Sequence, residues 1–549
     1  MLSSVGMPGS ARETLAYASL GQPLSPLFLD YLAGRDAVFP FLGKDGFSLE
    51  AIARAADAAL DLARPRDRLT AALVRQQEAR SSSTAAMQAR RLADPGAVAI
   101  VTGQQPGLFG GPLFVLLKAL ATVEVARQLE ERRGRPAVPV FWVASDDHDF
   151  AEVRSVCVVD GAGTLRALRY DPRVEPAGSP AWAIVLDDTL TGLVDELSRA
   201  LPPALGRDET LGAVAASYVP GETLSGAFAR LVSRLLPGLV VLDPSDPELK
   251  ALAAPILARE IREGSPTSRL ALERGAALLE AGYHQQVPVR PGFLNAFVVS
   301  EGQRRALAFA DGTVEVRGTR ERLSTDDVLR RLEADPGPWS PGALLRPLVQ
   351  DALLPTAAYV GGPAEVAYHA QIAPSYAYFG IPRPVVLPRP SATIVDPPQA
   401  RALDAEGLSL LDLVADPEGL VTRWARETYP DVESAFASTR EAVVRETGAL
   451  EEALGAHDPT LRAAAAATRG RALHQVEALH EKALRALKKR DQGRAERLRR
   501  TRDALLPGGS LQERGLGLVS PLARHGLALC DVLLSRIDVF ARGHQVIRL

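Results

Sequence analysis

The stretch Ala97-Val-Ala-Ile-Val-Thr-Gly-Gln-Gln-Pro-Gly-Leu-Phe-Gly-Gly-Pro112 decides the fold, read together with Val138-Pro-Val-Phe-Trp-Val-Ala-Ser-Asp-Asp-His-Asp149 downstream. Residues 97–102 are an apolar, β-branched run stopped by Gly103, the pattern of a strand buried on both faces of a parallel sheet. Pro112 suits a first helical position, where its missing N–H costs nothing and its fixed φ favours the helix. Leu113 to Arg133, closed by Gly134, reads as a crossover helix, and Val138 to Ala144 as the next strand. Strand, glycine loop, helix and strand make one right-handed βαβ unit, so the class predicted is α/β with a Rossmann-like parallel sheet. Ligands of such sheets gather at the carboxyl ends of the strands, where helix N-termini present unpaired N–H groups.

Working outward, 549 residues suit about three to four domains, or one large α/β core with inserts. Hydrophobic residues make up 46% and charged residues 23%, enough apolar material for a sizeable core. A net charge of −3 gives no overall attraction to nucleic acid or to an acidic membrane, and neither is expected as a partner. The only cysteines, Cys157 and Cys530, lie in apolar surroundings and read as buried thiols in a reducing compartment. With no leader pattern and no run of about eighteen apolar residues, a cytoplasmic location is expected.

Residues 1–96 read as a mostly helical part of the core, and 97–400 as the Rossmann-like core with inserts at about 154–236 and 286–320. The second insert alternates in short runs from Phe293 to Gly318, an antiparallel sheet that could cover the mouth of the main one. Thr356-Ala-Ala-Tyr-Val-Gly-Gly-Pro363-Ala-Glu then repeats the opening device, so that Gly110-Gly111-Pro112 and Gly361-Gly362-Pro363 suggest two helix N-termini facing one crevice. Each can also be read as a tight turn and nothing more.

Residues 401–506 change character: Glu433 to Gly455 and Thr460 to Leu506, on either side of His457-Asp458-Pro459, read as an α-helical coiled-coil hairpin. At about 1.5 Å per residue the second arm would be roughly 70 Å long and the first about half of that. The uncovered length predicts a homodimer through the arm, with Leu420 to Glu427 as an intramolecular alternative. Its basic residues (among them Lys482, Lys488, Arg490, Arg494 and Arg500) read as a solvated flank opposite Glu441, Glu446, Glu451 and Glu452, and no interleaved aromatics suit base stacking. Residues 507–549 read as a return to the core.

Four polar groups, Asp146 to Asp149, directly follow a buried strand, where sheet packing asks for none of them. Asp147, His148 and Asp149 can supply a general base, a carboxylate to orient the imidazole, and a partner for a substrate ammonium; one or two can equally cap the following turn. One imidazole lacks the HxH, HxxxH or CxxC spacing of a metal site, and no metal is predicted. The loop from Gly103 to Gly111 is neither a phosphate loop ending in Gly-Lys-Ser/Thr nor a dinucleotide GxGxxG. Its amides at Gly103, Gly110 and Gly111, with the Gln104 and Gln105 side chains, can hold a carboxylate or phosphate. Lys118, two turns into the helix, reads as snorkelling from a buried face or pairing an anion. Arg290, Asn295, Arg346, Gln350, Asp351, Arg389 and Ser391 add donors for a polar, anionic substrate.

These stretches, with Leu242-Asp-Pro-Ser-Asp-Pro247, Leu344-Leu-Arg-Pro-Leu-Val-Gln-Asp351 and Tyr359-Val-Gly-Gly-Pro-Ala-Glu365, closely resemble the bacillithiol biosynthesis cysteine-adding enzymes over nearly the whole chain. The resemblance implies a ligase joining the carboxyl of L-cysteine to the amine of glucosaminyl malate, on a core similar to class I aminoacyl-tRNA synthetases and with a dimerising coiled coil. It adds Tyr359, Gly361, Gly362 and Glu365 to the substrate-binding candidates. ATP or another adenine nucleotide is expected to activate the carboxyl, although no lysine-serine loop stands near Arg389 to Ser391. Asp146 stands where many relatives carry Glu, and His369 where an aromatic ring is usual. The competing readings are a nucleotidyltransferase or metal-dependent hydrolase on the same core, and a non-enzymatic coiled-coil scaffold.

Overall fold

The structure, a computed structural model, describes residues 12–549 apart from 311, 416 and 491. Of the features read above, residues 1–11 and the side chains of Leu420, Lys488 and Arg490 lie outside the described residues. The chain forms two compact units, one running to Ile394 and resuming at Ser510–Leu549, the other Val395–Gly509.

A five-stranded sheet organises the first unit; edge to edge it runs Val385–Pro388, Thr356–Gly361, Val98–Gln104, Ala137–Val143 and Val240–Leu242. Every pairing in it is parallel. The run from Val98 is therefore the central strand, and its alternate residues face opposite layers, as the two-residue period of a strand requires. Ala99 and Val101 join Val140, Trp142 and Tyr359 in one cluster with Leu69 and Leu73 from helix Arg66–Ala79 and Leu249 and Leu257 from helix Pro247–Arg262. Across the sheet the crossover helix Leu113–Arg133 packs on the strands Val98–Gln104 and Ala137–Val143. Each fully buried Leu or Val contributes about 1.5–3 kcal/mol, which is why this doubly covered layer holds the unit together.

Among the described residues three further sheets decorate that core. Ser155–Val159 pairs with Leu165–Arg169 as an antiparallel hairpin. The second insert is a five-stranded sheet in which Phe293–Ser300 lies between Gln303–Ala310 and Trp339–Pro341. The last joins the chain ends: Arg12–Leu15 pairs antiparallel with His544–Arg548, which neighbours Ser391–Val395. The first of these strands lies in the part of the chain read as helical. Its four residues are too short to carry a clear alternation, and pairing with the far end of the chain makes it a strand.

The second unit contains helices Pro430–His457 and Pro459–Arg490, with Gln492–Leu505 beyond residue 491. Asp458 ends the first arm, and Pro459 opens the second at a position where proline is tolerated. Arg469 to Glu451 (2.6 Å) and His480 to Glu433 (2.6 Å) bridge the arms. The length left bare by the first arm is covered within the chain: helix Pro397–Glu406 packs on Gln492–Leu505, where Arg494 Nε meets the Glu406 carboxylate at 2.7 and 2.8 Å, and Pro417–Thr428 packs on both distal helices. The length argument for a second chain therefore does not hold, because neighbouring helices supply the missing partner. Among the described residues no helix is long and apolar enough to cross a membrane.

Candidate functional site

Two adjoining cavities open at the carboxyl ends of the central strands, the larger about 480 Å³ and the smaller about 330 Å³. Trp142, Ala144, Arg346 and Tyr368 line both. The sheet explains the position: Gly103, Ala144 and Gly362 lie where three neighbouring strands end, and their small side chains leave the floor open. A Cβ at Gly103 would stand 3.0 Å from the Trp142 carbonyl, tighter than most side-chain contacts.

On the larger cavity's wall, Lys118 reaches back from the crossover helix, 1% exposed. Its ammonium donates to the Gly103 carbonyl (2.6 Å), Gln104 Oε1 (3.2 Å) and Glu365 Oε2 (2.6 Å). Glu365 also accepts from Tyr359 OH (2.6 Å) and from the Gly362 amide (2.7 Å). Burial pushes the Glu365 carboxyl up, but Lys118, Tyr359 and that amide outweigh it and hold it below the ordinary range. The amide that a substrate anion was expected to take is thus committed to the chain's own carboxylate, and Lys118 is committed with it. The cations left facing this cavity are arginines: Arg346, Arg389 and Arg514. Arg389 is held by Glu513 (2.7 Å) and by the Pro390 carbonyl (3.0 Å). The exposed Arg514 comes from the C-terminal return, anchored where Gln512 pairs with both main-chain groups of Ile394 (2.8 and 3.0 Å).

The smaller cavity sets carboxylates against guanidiniums. Asp146 is paired with buried Lys250 at 2.5 Å. Asp147 accepts from the amides of His148 (2.7 Å) and Asp149 (3.2 Å) and from Gln105 Nε2 (2.8 Å). Opposite them the second insert contributes Arg304, lying 3.9 Å over the Phe297 ring and donating to Ser340 Oγ (2.9 Å) and the Pro341 carbonyl (2.7 Å). At the junction, Arg346 donates to Gln350 Oε1 (3.0 Å) and Tyr368 OH (3.0 Å).

Of the residues singled out from sequence, Gly103, Gln104, Gln105, Lys118, Tyr359, Gly362, Glu365 and Arg389 meet at the larger cavity, and Asp147 at the smaller. Arg346 lines both and Asp146 the smaller, while the others stand elsewhere. Gly110 and Gly111 are buried in a turn against Tyr218 and Leu518, and the first N–H of their helix goes to the Leu516 carbonyl (2.8 Å), so the two helix N-termini do not present amides to one crevice. Gly361 spends its carbonyl on the Arg389 amide (2.8 Å). Gln350 and Asp351 sit behind Arg346, where Asp351 accepts from Gln350 (2.8 Å) and Tyr376 OH (2.6 Å). Asn295 serves a buried cluster with Thr267 (2.7 Å) and Ser268 (2.8 Å), and Arg290 is exposed beside Phe293. Ser391 lies in a side cavity of about 170 Å³, bonded to His544 Nδ1 at 2.7 Å.

His148 lines neither main cavity. Its Nδ1 faces Arg304 Nη1 at 3.3 Å, and the nearest carboxylate contact is Asp147, at 3.9 Å. Burial and then Arg304 lower its pKa, with Asp147 and Asp149 pulling the other way. Asp149 is exposed and caps the short helix Phe150–Val153 through the Glu152 amide (3.2 Å), so it is a cap and not the imidazole's orienting group. The other departure, His369, is buried between Tyr359 and Tyr368, with neither ring nitrogen hydrogen-bonded. Reading the sequence missed Arg304, Arg514, Glu152 and Tyr368. Tyr368 was findable, one helical turn beyond Glu365 on the same face, and Glu152 stands three residues after Asp149. Nothing local marks Arg304 or Arg514, whose positions depend on distant segments docking.

The family model described as "Bacillithiol biosynthesis BshC, N-terminal Rossmann-like domain" matches residues 13–390, and "Bacillithiol biosynthesis BshC, C-terminal coiled-coil domain" matches 392–549. A protein of Salinibacter ruber named "Putative cysteine ligase BshC" is 35% identical over 526 residues, 95% of this chain and 96% of that one. One of the same name from Koribacter versatilis is 36% identical over 486 residues, covering 88% and 90%. The chain belongs to the BshC family of bacillithiol biosynthesis, with a Rossmann-like domain followed by a coiled-coil domain.

Proposed function

We propose that this chain is an amide-forming ligase that joins the carboxyl of L-cysteine to the amine of glucosaminyl malate. The observation that carries the reading is the pair of adjoining cavities with Arg346 lining both, which gives two small molecules separate seats and one shared wall where a bond can form. The names of the relatives from Salinibacter ruber and Koribacter versatilis support the choice of cysteine.

In the bond-forming step the amine nitrogen attacks the cysteine acyl carbon, the acyl C–O bond breaks, and the amine gives up a proton. Arg346 is placed to hold the oxygen on which negative charge builds. Asp147, tied to the larger cavity through Gln105, is the carboxylate placed to take the proton, in preference to His148, whose Nδ1 is turned to Arg304. Amide formation from a free carboxylate is uphill, and a nucleoside triphosphate such as ATP supplies the chemistry that converts the carboxylate oxygen into a good leaving group. The residues present fit such an anion: Arg346 and Arg514 face the larger cavity, while Lys118 is neutralised by Glu365 and Arg389 by Glu513.

The test is mass spectrometry of a reaction containing purified protein, L-cysteine and glucosaminyl malate, with and without ATP. The expected result is the coupled thiol in the presence of ATP, with cleavage of the nucleotide in equal amount. Absence of the coupled product under every nucleotide condition would end this reading.

A further inference from the structure

The two cavities differ in a way that separates the substrates. The larger carries three arginines, with the carboxylate of Glu365 taken up by Lys118 and that of Glu152 by Gln105. The smaller is lined by Asp146 and Asp147 together with Arg304 and Arg346, and by the apolar Phe297, Pro341, Pro244 and Trp142. Asp146 uses one carboxylate oxygen on Lys250, and among the described residues no donor meets the other. Arg304 is fixed by Ser340 and Pro341 and stacked on Phe297, so its plane is set before any ligand arrives, with hydrogens on both terminal nitrogens left over. Opposite charges lining one cavity suit a ligand that carries both signs itself.

We infer that the smaller cavity is the L-cysteine subsite, binding the amino acid as its zwitterion, with the ammonium on Asp146, the carboxylate between Arg304 and Arg346, and the thiol against Phe297 and Pro341. The inference rests on the ligase reading above and assigns its first substrate to a place. The carboxylate then lies at the wall shared with the larger cavity, which is where the acceptor amine must approach. The apolar end of the box also accounts for selection of a thiol: the hydroxyl of serine would lose its water there without a replacement partner, whereas a thiol loses little.

The test measures KM for L-cysteine and for glucosaminyl malate in the coupling assay, using the full chain and the variants Arg304→Gln, Asp146→Asn and Arg514→Gln. Arg304→Gln and Asp146→Asn are expected to raise KM for cysteine at least tenfold and to move KM for the sugar malate less than threefold; Arg514→Gln should show the reverse. Unchanged cysteine KM in both Arg304→Gln and Asp146→Asn, or a tenfold rise in Arg514→Gln, would overturn the assignment while leaving the ligase intact. Failure of the unaltered chain to couple cysteine at all would strike the ligase reading instead. Because Asp146 and Arg304 also hold neighbours, competition on the unaltered chain gives a second readout. Cysteamine, which lacks the carboxylate, and 3-mercaptopropionate, which lacks the ammonium, should each compete with cysteine at least tenfold more weakly than S-methyl-L-cysteine, which keeps both charges. Inhibition by either as strong as by S-methyl-L-cysteine would contradict a zwitterion site.

Discussion

Gly110-Gly111-Pro112 and Gly361-Gly362-Pro363 are the same tripeptide at the same place in a strand-to-helix turn, yet only the second borders the cleft. The first is a folding device. Phe109, Gly110 and Gly111 take φ of 49°, 87° and 75°, Tyr218 OH accepts from the Gly110 amide (3.0 Å) and donates to the Gly107 carbonyl (2.7 Å), and Leu518 closes over the turn. The second takes an ordinary φ of −73° at Gly362 and gives its amide to Glu365. A helix start is an anion site only when nothing in the chain reaches its amides first. Here the chain reaches both, with a main-chain carbonyl in one case and a carboxylate in the other.

The largest effect that would expose this contrast is Gly110→Ala. A Cβ there meets Leu518 Cδ2 at 2.7 Å in a left-handed conformation, and a loss of about 3–4 kcal/mol is expected in chemical denaturation. Gly362→Ala, whose Cβ meets Glu365 Oε2 at 3.3 Å and Arg389 Nε at 3.6 Å in an ordinary backbone conformation, should cost only about 1 kcal/mol. Equal losses would mean that the two turns do the same job.

The second turn leans on the strand Ser391–Val395 through Arg389, and that strand is pinned by buried His544, which bonds Ser391 and Thr393. Burial lowers the His544 pKa to about 4, with Glu513 raising it and Arg389 lowering it further. Above pH ~6.5 both folded and unfolded chains hold this imidazole neutral; as the pH falls from ~6.5 the unfolded chain takes the proton first, so stability drops until about pH 4. The contribution is about 3 kcal/mol across that window, and denaturation curves of His544→Gln should lose that part of the slope.

Next comes Glu365→Gln, which strips the buried Lys118 of its counter-charge and should cost about 2–3 kcal/mol, read as a shift of the denaturation midpoint, since Gly103 and Gln104 still accept from the ammonium. Tyr218→Phe should be milder, about 1–2 kcal/mol, with turnover kept, because it affects only the turn that lies away from the cleft. A drop in turnover with normal stability would place the first turn in the site after all.

The same contrast explains what was legible in the sequence. The parallel core was readable because strands buried on both faces show it in their own residues, as 97–102 and 138–143 do. The floor of the larger cavity was readable too, since Gly103 to Gln105 and Gly362 to Glu365 sit at strand ends. What the local pattern did not record was which partner several polar groups would choose. Gly110, Asp149, Asn295 and Gln350 were read as open to a ligand, and each is satisfied by another part of the chain. Arg304 and Arg514 were invisible for the converse reason: one arrives on an inserted sheet and the other on a C-terminal return, and no local pattern records where such segments dock. The arm's missing partner was likewise found within the chain, in helices Pro397–Glu406 and Pro417–Thr428.

The central claim is that two substrates meet at Arg346, and steady-state coupling of L-cysteine to glucosaminyl malate by Arg346→Met tests it most directly. Loss of Arg346 should lower kcat at least about 100-fold in protein whose circular dichroism matches the unaltered chain, as expected when a charge-stabilising donor at the reacting carboxyl is removed. Turnover within threefold of the unaltered chain would contradict a reaction centre at that junction.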